Sequence, residues 1–171
     1  MIATFLFEII SAIYIIWRYT FNNKTRLIVA ILLCLAIFQY AEYVICQGLG
    51  IEWAKIGFMA ITLLPPLGFH LAQDISGRYS RLALTMAYAS GVIFAGYFLF
   101  SEAIARSVCG GNYVIFEHTD PSGILYGLYY YGWLIIGLTY TMWTASRTHA
   151  KNLHRTRKAL WLLAIAYILF M

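Results

Sequence analysis

Apolar residues along the 171-residue chain form long blocks that are separated by short basic segments. A helix crosses a hydrocarbon core of about 30 Å with about 17–25 apolar residues. Blocks of that length lie at 1–17, 27–49, 53–73, 82–101 and 124–145, and a shorter block lies at 159–171. They lack the alternating pattern of membrane β-strands. We therefore predict an all-α, polytopic transmembrane helix bundle with five full spans and a partial sixth, forming a single domain over 1–171.

The sixth block is too short for a full crossing, because a helix rises about 1.5 Å per residue. Two explanations are open at this stage. Either the chain ends inside its sixth helix, or that helix is a partial insert packed against the others.

Composition supports a membrane protein, with 62% hydrophobic and 11% charged residues and a mean hydropathy of +0.73. Soluble domains carry about 25% charged residues. The segments between the blocks are too short for a separate catalytic domain, which needs about 50 residues. The chain also lacks a phosphate-binding loop, an HExxH motif and a nucleophile elbow. We expect no enzyme activity and no cofactor.

Basic residues follow the first, third and fifth predicted spans. The positive-inside rule makes these segments cytoplasmic and leaves the N-terminus outside. They contain Arg18, Lys24, Arg26, Arg78, Arg81, Arg147, Lys151, Arg155, Arg157 and Lys158, whereas Lys55 and Arg106 fall on the outer side. The net charge of +5 therefore indicates membrane lipids as partners, and not nucleic acid.

The outer half of the second span carries a polar stripe of Gln39, Glu42, Tyr43 and Cys46. At 3.6 residues per turn these side chains share one helix face. A carboxyl group at this depth is unfavourable unless it faces the bundle interior or a wet cavity. Glu42 is therefore the best single candidate for a functional residue. The alternative is that its carboxyl group only stabilises helix packing.

The fifth span carries an aromatic stripe, in which Tyr126, Tyr130, Trp133 and Tyr140 lie on one face. The hydroxyl group of Tyr140 lies deep in the span and needs an internal partner, so the stripe should face other helices. Together with Trp53 and the polar stripe, these residues suggest an outward-opening pocket. Its predicted ligand-binding residues are Gln39, Glu42, Tyr43, Trp53, Tyr126, Tyr130 and Trp133. Core packing is the alternative role for most of the aromatic residues.

Pro65 and Pro66 interrupt the third span. Consecutive prolines remove backbone donors and clash with the preceding turn, so we expect a kink there, either a hinge or a packing device. Cys46 and Cys109 both fall on the outer side, where a disulfide between them is topologically feasible. No group of cysteine and histidine residues has zinc-site spacing, so we expect no metal.

Three segments resemble a known family. EWAKIGFMAITLLPPLGFHLA, at 52–72, is similar to the third helix of the N-terminal seven-transmembrane sensor region of bacterial histidine kinases and diguanylate cyclases. SGILYGLYYYGWLIIGLTYTMW, at 122–143, and KALWLLAIAYILF, at 158–170, are similar to its fifth and sixth helices. The resemblance implies signal reception, as in two-component systems. It also implies a seventh helix and an output domain, neither of which follows in this chain.

Two functions remain in competition. The first is a sensor or receptor module, in which a small or lipophilic signal enters the outer pocket and changes the packing around Pro65 and Pro66. The second is a non-catalytic accessory subunit of a larger membrane complex, which binds lipid, pigment or partner helices; a homogeneous monomer or homodimer would count against it. A transporter is a weaker third hypothesis. Transporters usually have broken helices in both halves, whereas this sequence indicates only one broken helix.

Overall fold

The computed structural model describes residues 1–48, 51–101, 104–110, 114–118, 122–147 and 154–170. Within those ranges the chain forms a helical bundle with one small β-hairpin. The elements are α1 (Ile2–Arg18), α2 (Asn23–Cys46), α3 (Ile51–Thr62), α4 (Leu64–Ser76), α5 (Arg81–Phe100), β1 (Ile104–Cys109), β2 (Val114–His118), α6 (Ser122–Arg147) and α7 (His154–Phe170). The prediction of a helical bundle is thus confirmed. The predicted end of the second span at residue 49 lies outside the described residues, as does Lys151.

Within the described ranges, three segments are long and apolar enough to cross a membrane, judged by length and composition: Asn23–Cys46, Glu52–Ser76 and Arg81–Phe100. They correspond to the second, third and fourth predicted spans. The full crossings predicted for α1 and α6 and the partial span predicted for the region of α7 stay predictions. α7 begins at His154, five residues before the predicted start of the sixth helix, and has 17 residues.

Local sequence explains where several helices begin and end. The side chain of Asn22 accepts a hydrogen bond from the backbone N–H of Thr25 at 3.0 Å, which caps the start of α2. Ser80 caps α5 in the same way through the N–H of Ala83, at 3.4 Å. Gly77 follows α4 with a φ of 67°, a left-handed conformation that glycine adopts without strain.

The third predicted span is broken, not merely bent. α3 ends at Thr62 and α4 starts at Leu64, with Leu63 between them. Pro65 and Pro66 occupy the first turn of α4, where a missing N–H costs no helical hydrogen bond. Both prolines are buried, so the interruption lies inside the bundle.

The helices form one packed bundle. α2 packs against α1, α3 and α4, while α6 packs against α4 and α7, and α3 packs against α5. The interior contains an aromatic core around Tyr129, Tyr130, Leu134 and Tyr167. The break between α3 and α4 borders this core.

The segment between α5 and α6, which the sequence suggested only as a loop, contains the hairpin. β1 and β2 pair antiparallel, with Cys109 opposite Val114. The search for helical periodicity does not detect such short strands. They are stable because each strand pairs with its neighbour. The hairpin contacts α2 and α3 at one end of the bundle.

Candidate functional site

The structure distributes the residues of the predicted pocket over three places. Gln39 lies beside α1, where it accepts a hydrogen bond from the hydroxyl group of Thr4 at 2.9 Å. Trp53 contacts Tyr40 edge to face, with 5.3 Å between the ring centroids. Both residues therefore belong to the packing of α1, α2 and α3.

Glu42 lies in the second place, beneath the hairpin. Its side chain is 5% exposed, and its carboxylate accepts a hydrogen bond from the backbone N–H of Val114 at 3.2 Å. One turn further along α2, Cys46 is bonded to Cys109 in a disulfide, with the Cα atoms 5.5 Å apart. Tyr43 is half-buried on the same helix. The contacts of Glu42 thus join α2 to the hairpin and not to the aromatic stripe of α6.

The aromatic stripe forms the third place. The ring of Tyr126 lies 4.7 Å from that of Phe58 and 5.2 Å from that of Phe98. Tyr130 is 8% exposed, and its hydroxyl group has no hydrogen-bond partner among the described residues. Trp133 donates its indole N–H to the hydroxyl group of Ser90 at 3.1 Å. These side chains face other helices, as their depth in the span requires.

Two tyrosines of α6 bind the broken end of α3. The hydroxyl group of Tyr129 donates to the backbone carbonyl of Thr62 at 2.7 Å. The hydroxyl group of Thr62 contacts that of Tyr126 at 3.2 Å. The carbonyl groups at a helix end lack intrahelical donors and need partners from elsewhere. Sequence reasoning missed Tyr129, although the prolines just after Thr62 implied a need for donors there.

An apolar cavity of about 170 Å³ lies where α2, α4, α6 and α7 meet. It is lined by Ile31, Leu35, Leu64, Gly68, Leu134, Leu163, Ala166 and Tyr167. Leu64 and Gly68 belong to the first two turns of α4, directly after the break. Polar residues in the sequence do not mark this cavity, because its wall consists of apolar residues and one tyrosine.

Tyr167 closes one side of this region. A Cβ atom added at Gly68 would lie 2.7 Å from its hydroxyl oxygen, and one added at Gly137 would lie 2.5 Å from it. The two glycines therefore form a notch between α4 and α6 that accommodates the ring. Tyr167 is 5% exposed, and its hydroxyl group has no hydrogen-bond partner within the described part of the chain.

The far end of α4 carries a group of polar contacts with α6. The hydroxyl group of Tyr140 lies 2.8 Å from that of Ser76 and 2.7 Å from the carbonyl oxygen of Arg78. Tyr140 thus has the internal partners that its position requires. In the same turn, the hydroxyl group of Tyr79 donates to the carboxylate of Asp74, and this hydrogen bond raises the pKa of Tyr79 to about 12.

Comparison of the chain with family models, curated proteins and solved structures gives no match.

Proposed function

We propose that the chain is a membrane-embedded sensor or receptor module, without catalytic activity, that binds a small lipophilic signal. The observation that supports this proposal is the apolar cavity of about 170 Å³, which is lined in part by the first turns of α4. We place the ligand in this cavity and not in the outer pocket that the sequence suggested, because Glu42 and Trp53 are engaged in other contacts.

The size and chemistry of the cavity define the ligand class. An apolar protein cavity of about 150 Å³ stays free of water and accommodates a benzene-sized molecule. The cavity here is lined by aliphatic side chains and the ring of Tyr167. Such a wall favours a single hydrocarbon ring or a short length of a hydrocarbon chain, and it offers nothing to a charged ligand.

The signal would pass from the cavity to the other end of the bundle along α4. An occupied cavity presses on Leu64 and Gly68, and Pro65 and Pro66 act as the hinge that lets α4 move relative to α3. The other end of α4 carries Ser76, which is bound to Tyr140 on α6. Packed helices respond to a ligand by small shifts of one helix against another. Such a shift would carry the signal to the basic segments.

The proposed setting is a multi-pass protein of the bacterial inner membrane with the N-terminus outside. α6 has 26 residues and is about 39 Å long at 1.5 Å per residue, which is enough to cross a bilayer. The disulfide between Cys46 and Cys109 supports this orientation, because disulfides persist in oxidising compartments and the positive-inside rule assigns that end of the bundle to the outside. Resemblance to sensor regions supports signal reception.

Photolabelling tests the site. The full chain in lipid nanodiscs is exposed to an alkyne-tagged fatty alcohol that carries a diazirine near its methyl end, and labelled peptides are identified by mass spectrometry. Ala166 lines the cavity and is itself exposed, so Ala166→Trp should cover the opening and reduce labelling of the peptides around Leu64 and Leu163. Ile168→Trp is the matched control, since Ile168 lies on the same helix and is 57% exposed.

Strong labelling of the cavity peptides in the wild type and the control, with weak labelling in Ala166→Trp, supports the proposal. Equal labelling in both variants would show that the probe labels only the lipid-facing surface, and the cavity would then not be a ligand site.

An accessory subunit of a larger membrane complex is the second candidate. One observation favours it: α7 keeps a wide apolar face outside the bundle, with Leu162 67% and Leu169 82% exposed. Extraction in a mild detergent separates the two functions. A stoichiometric partner that co-purifies with the chain supports the subunit, whereas a homogeneous monomer or homodimer supports the receptor.

A further inference from the structure

Two arginines contact the same tryptophan at one end of the bundle. The guanidinium carbon of Arg147 lies 4.6 Å from the ring centroid of Trp143, and that of Arg78 lies 5.7 Å from it. Arg147 follows Trp143 by one turn of α6, while Arg78 comes from the turn between α4 and α5. The fold thus brings together two cations from segments that are far apart in sequence.

The position of Arg78 is determined by hydrogen bonds of its backbone. Its carbonyl oxygen accepts from the hydroxyl group of Tyr140 at 2.7 Å, and its N–H donates to the hydroxyl group of Ser76 at 3.3 Å. Nearby, the side chain of Gln73 accepts from the N–H of Ser80 at 3.0 Å. The turn is therefore bound to α4 and α6 on both sides of Arg78.

No anion compensates the two guanidinium groups within the described part of the chain. The ion pair that the structure shows among the described residues joins Lys55 and Glu52, at 3.8 Å, and involves neither arginine. Asp74, the acidic residue of α4, accepts from the hydroxyl group of Tyr79. Two like charges near one ring repel each other unless an anion lies between them.

We propose that Arg78, Trp143 and Arg147 bind the phosphodiester headgroup of an anionic phospholipid. A guanidinium group presents two parallel N–H donors that match two phosphate oxygens, so two arginines can hold one phosphate. Trp143 is 46% exposed, and an indole ring prefers the level of the headgroups. Under the proposed orientation the site faces the cytoplasmic leaflet, where anionic lipids attract basic residues. The site is independent of the apolar cavity.

Native mass spectrometry of the purified full chain tests this site. The protein in dodecyl maltoside micelles receives phosphatidylglycerol or phosphatidylcholine with identical acyl chains, and the retained lipid is counted. We expect the wild type to retain phosphatidylglycerol preferentially, with a loss of about five-fold in that preference for each arginine removed. The variants are Arg78→Gln, Arg147→Gln and their combination.

Arg26→Gln is the matched control. Arg26 is also basic, and its guanidinium carbon lies 5.2 Å from the ring centroid of Phe21, but among the described residues no second cation contacts that ring. The control should keep the preference of the wild type. Arg147→Lys preserves the charge but loses the pair of parallel N–H donors, so it should lower the preference for phosphatidylglycerol. This variant keeps the test valid if the double glutamine variant does not fold.

Three results would overturn the proposal. The first is a wild type that retains both lipids equally, a measurement that needs no variant. The second is an unchanged preference in Arg147→Lys and in the glutamine variants. The third is displacement of phosphatidylglycerol by an equal concentration of inorganic phosphate, which would assign the site to a free anion.

Discussion

The hydroxyl group of Tyr129 donates a hydrogen bond to the backbone carbonyl of Thr62 at 2.7 Å, and this contact joins α6 to the last residue of α3. A helix that stops inside an apolar bundle leaves carbonyl groups that water cannot reach. Gly91 on α5 makes room for the contact, since a Cβ atom there would lie 2.9 Å from the same hydroxyl oxygen. The break in the third span is thus supported by a side chain of α6, for which a glycine of α5 leaves room.

Replacement of Tyr129 by phenylalanine should destabilise the protein, because the carbonyl group of Thr62 loses its donor in a buried position. Leaving such a group unsatisfied costs about 1–3 kcal/mol. The measurement is the thermal unfolding midpoint in detergent. Tyr131→Phe is the control, because Tyr131 is 52% exposed, and its midpoint should match the wild type. Equal midpoints for both variants would mean that the break does not need the hydroxyl group of Tyr129.

The notch around Tyr167 predicts a specific rescue. Gly68→Ala places a Cβ atom 2.7 Å from the hydroxyl oxygen of Tyr167 and 3.3 Å from the ring carbon that bears it. We expect this variant to lower the unfolding midpoint and Tyr167→Phe to restore it, because the closest atom is then gone. Tyr167→Phe alone should be nearly neutral, since its hydroxyl group has no hydrogen-bond partner among the described residues.

Gly137 provides the contrast in the same experiment. There an added Cβ atom would lie 2.6 Å from the ring carbon itself, so Tyr167→Phe should not rescue Gly137→Ala. Gly132→Ala is the control, because no atom lies within 4 Å of its added Cβ. Rescue of both variants, or of neither, would contradict the placement of the ring.

The disulfide predicts both thiol reactivity and stability. Denatured protein that has not been reduced should react with a maleimide at Cys34 alone, because Cys46 and Cys109 are bonded. Cys46→Ser with Cys109→Ser should cost about 2–4 kcal/mol of unfolding free energy and loosen the hairpin over Glu42. Cys34→Ser should leave the effect of a reductant on stability unchanged. Labelling of all three cysteines without a reductant would disprove the bond.

Tyr79 predicts a dependence on alkaline pH. Its pKa is raised to about 12, first by the hydrogen bond to Asp74. A raised folded-state pKa means that the hydrogen bond stabilises the folded state fully below pH 10 and that this stability is lost as the pH rises from about 10 through about 12. The phenolate absorbance of the wild type minus that of Tyr79→Phe should titrate near pH 12. Asp74→Asn should move this midpoint towards pH 10, and no movement would contradict the assignment.

Several features of the fold were predictable because each depends on local sequence. The apolar blocks mark the helices, since a stretch of that length is stable in lipid only when its backbone bonds are made internally. Pro65 and Pro66 mark the interruption, because a proline removes a helical donor wherever it stands. The pocket residues were predicted less well. Glu42 and Tyr130 were placed in one pocket because both lie in the outer halves of their spans, but depth does not determine which neighbour a side chain faces.

By itself, the sequence determined the helical class, the position of the break and the need of Tyr140 for an internal partner. These follow from hydrophobicity, proline geometry and the poor solvation of a hydroxyl group in lipid. Only the tertiary structure decided that Val114 covers Glu42, that Tyr129 binds Thr62 and that α2, α4, α6 and α7 line an apolar cavity. Each of these depends on how helices distant in sequence rotate and approach one another, and apolar faces of similar composition leave that choice to the detailed fit of side chains.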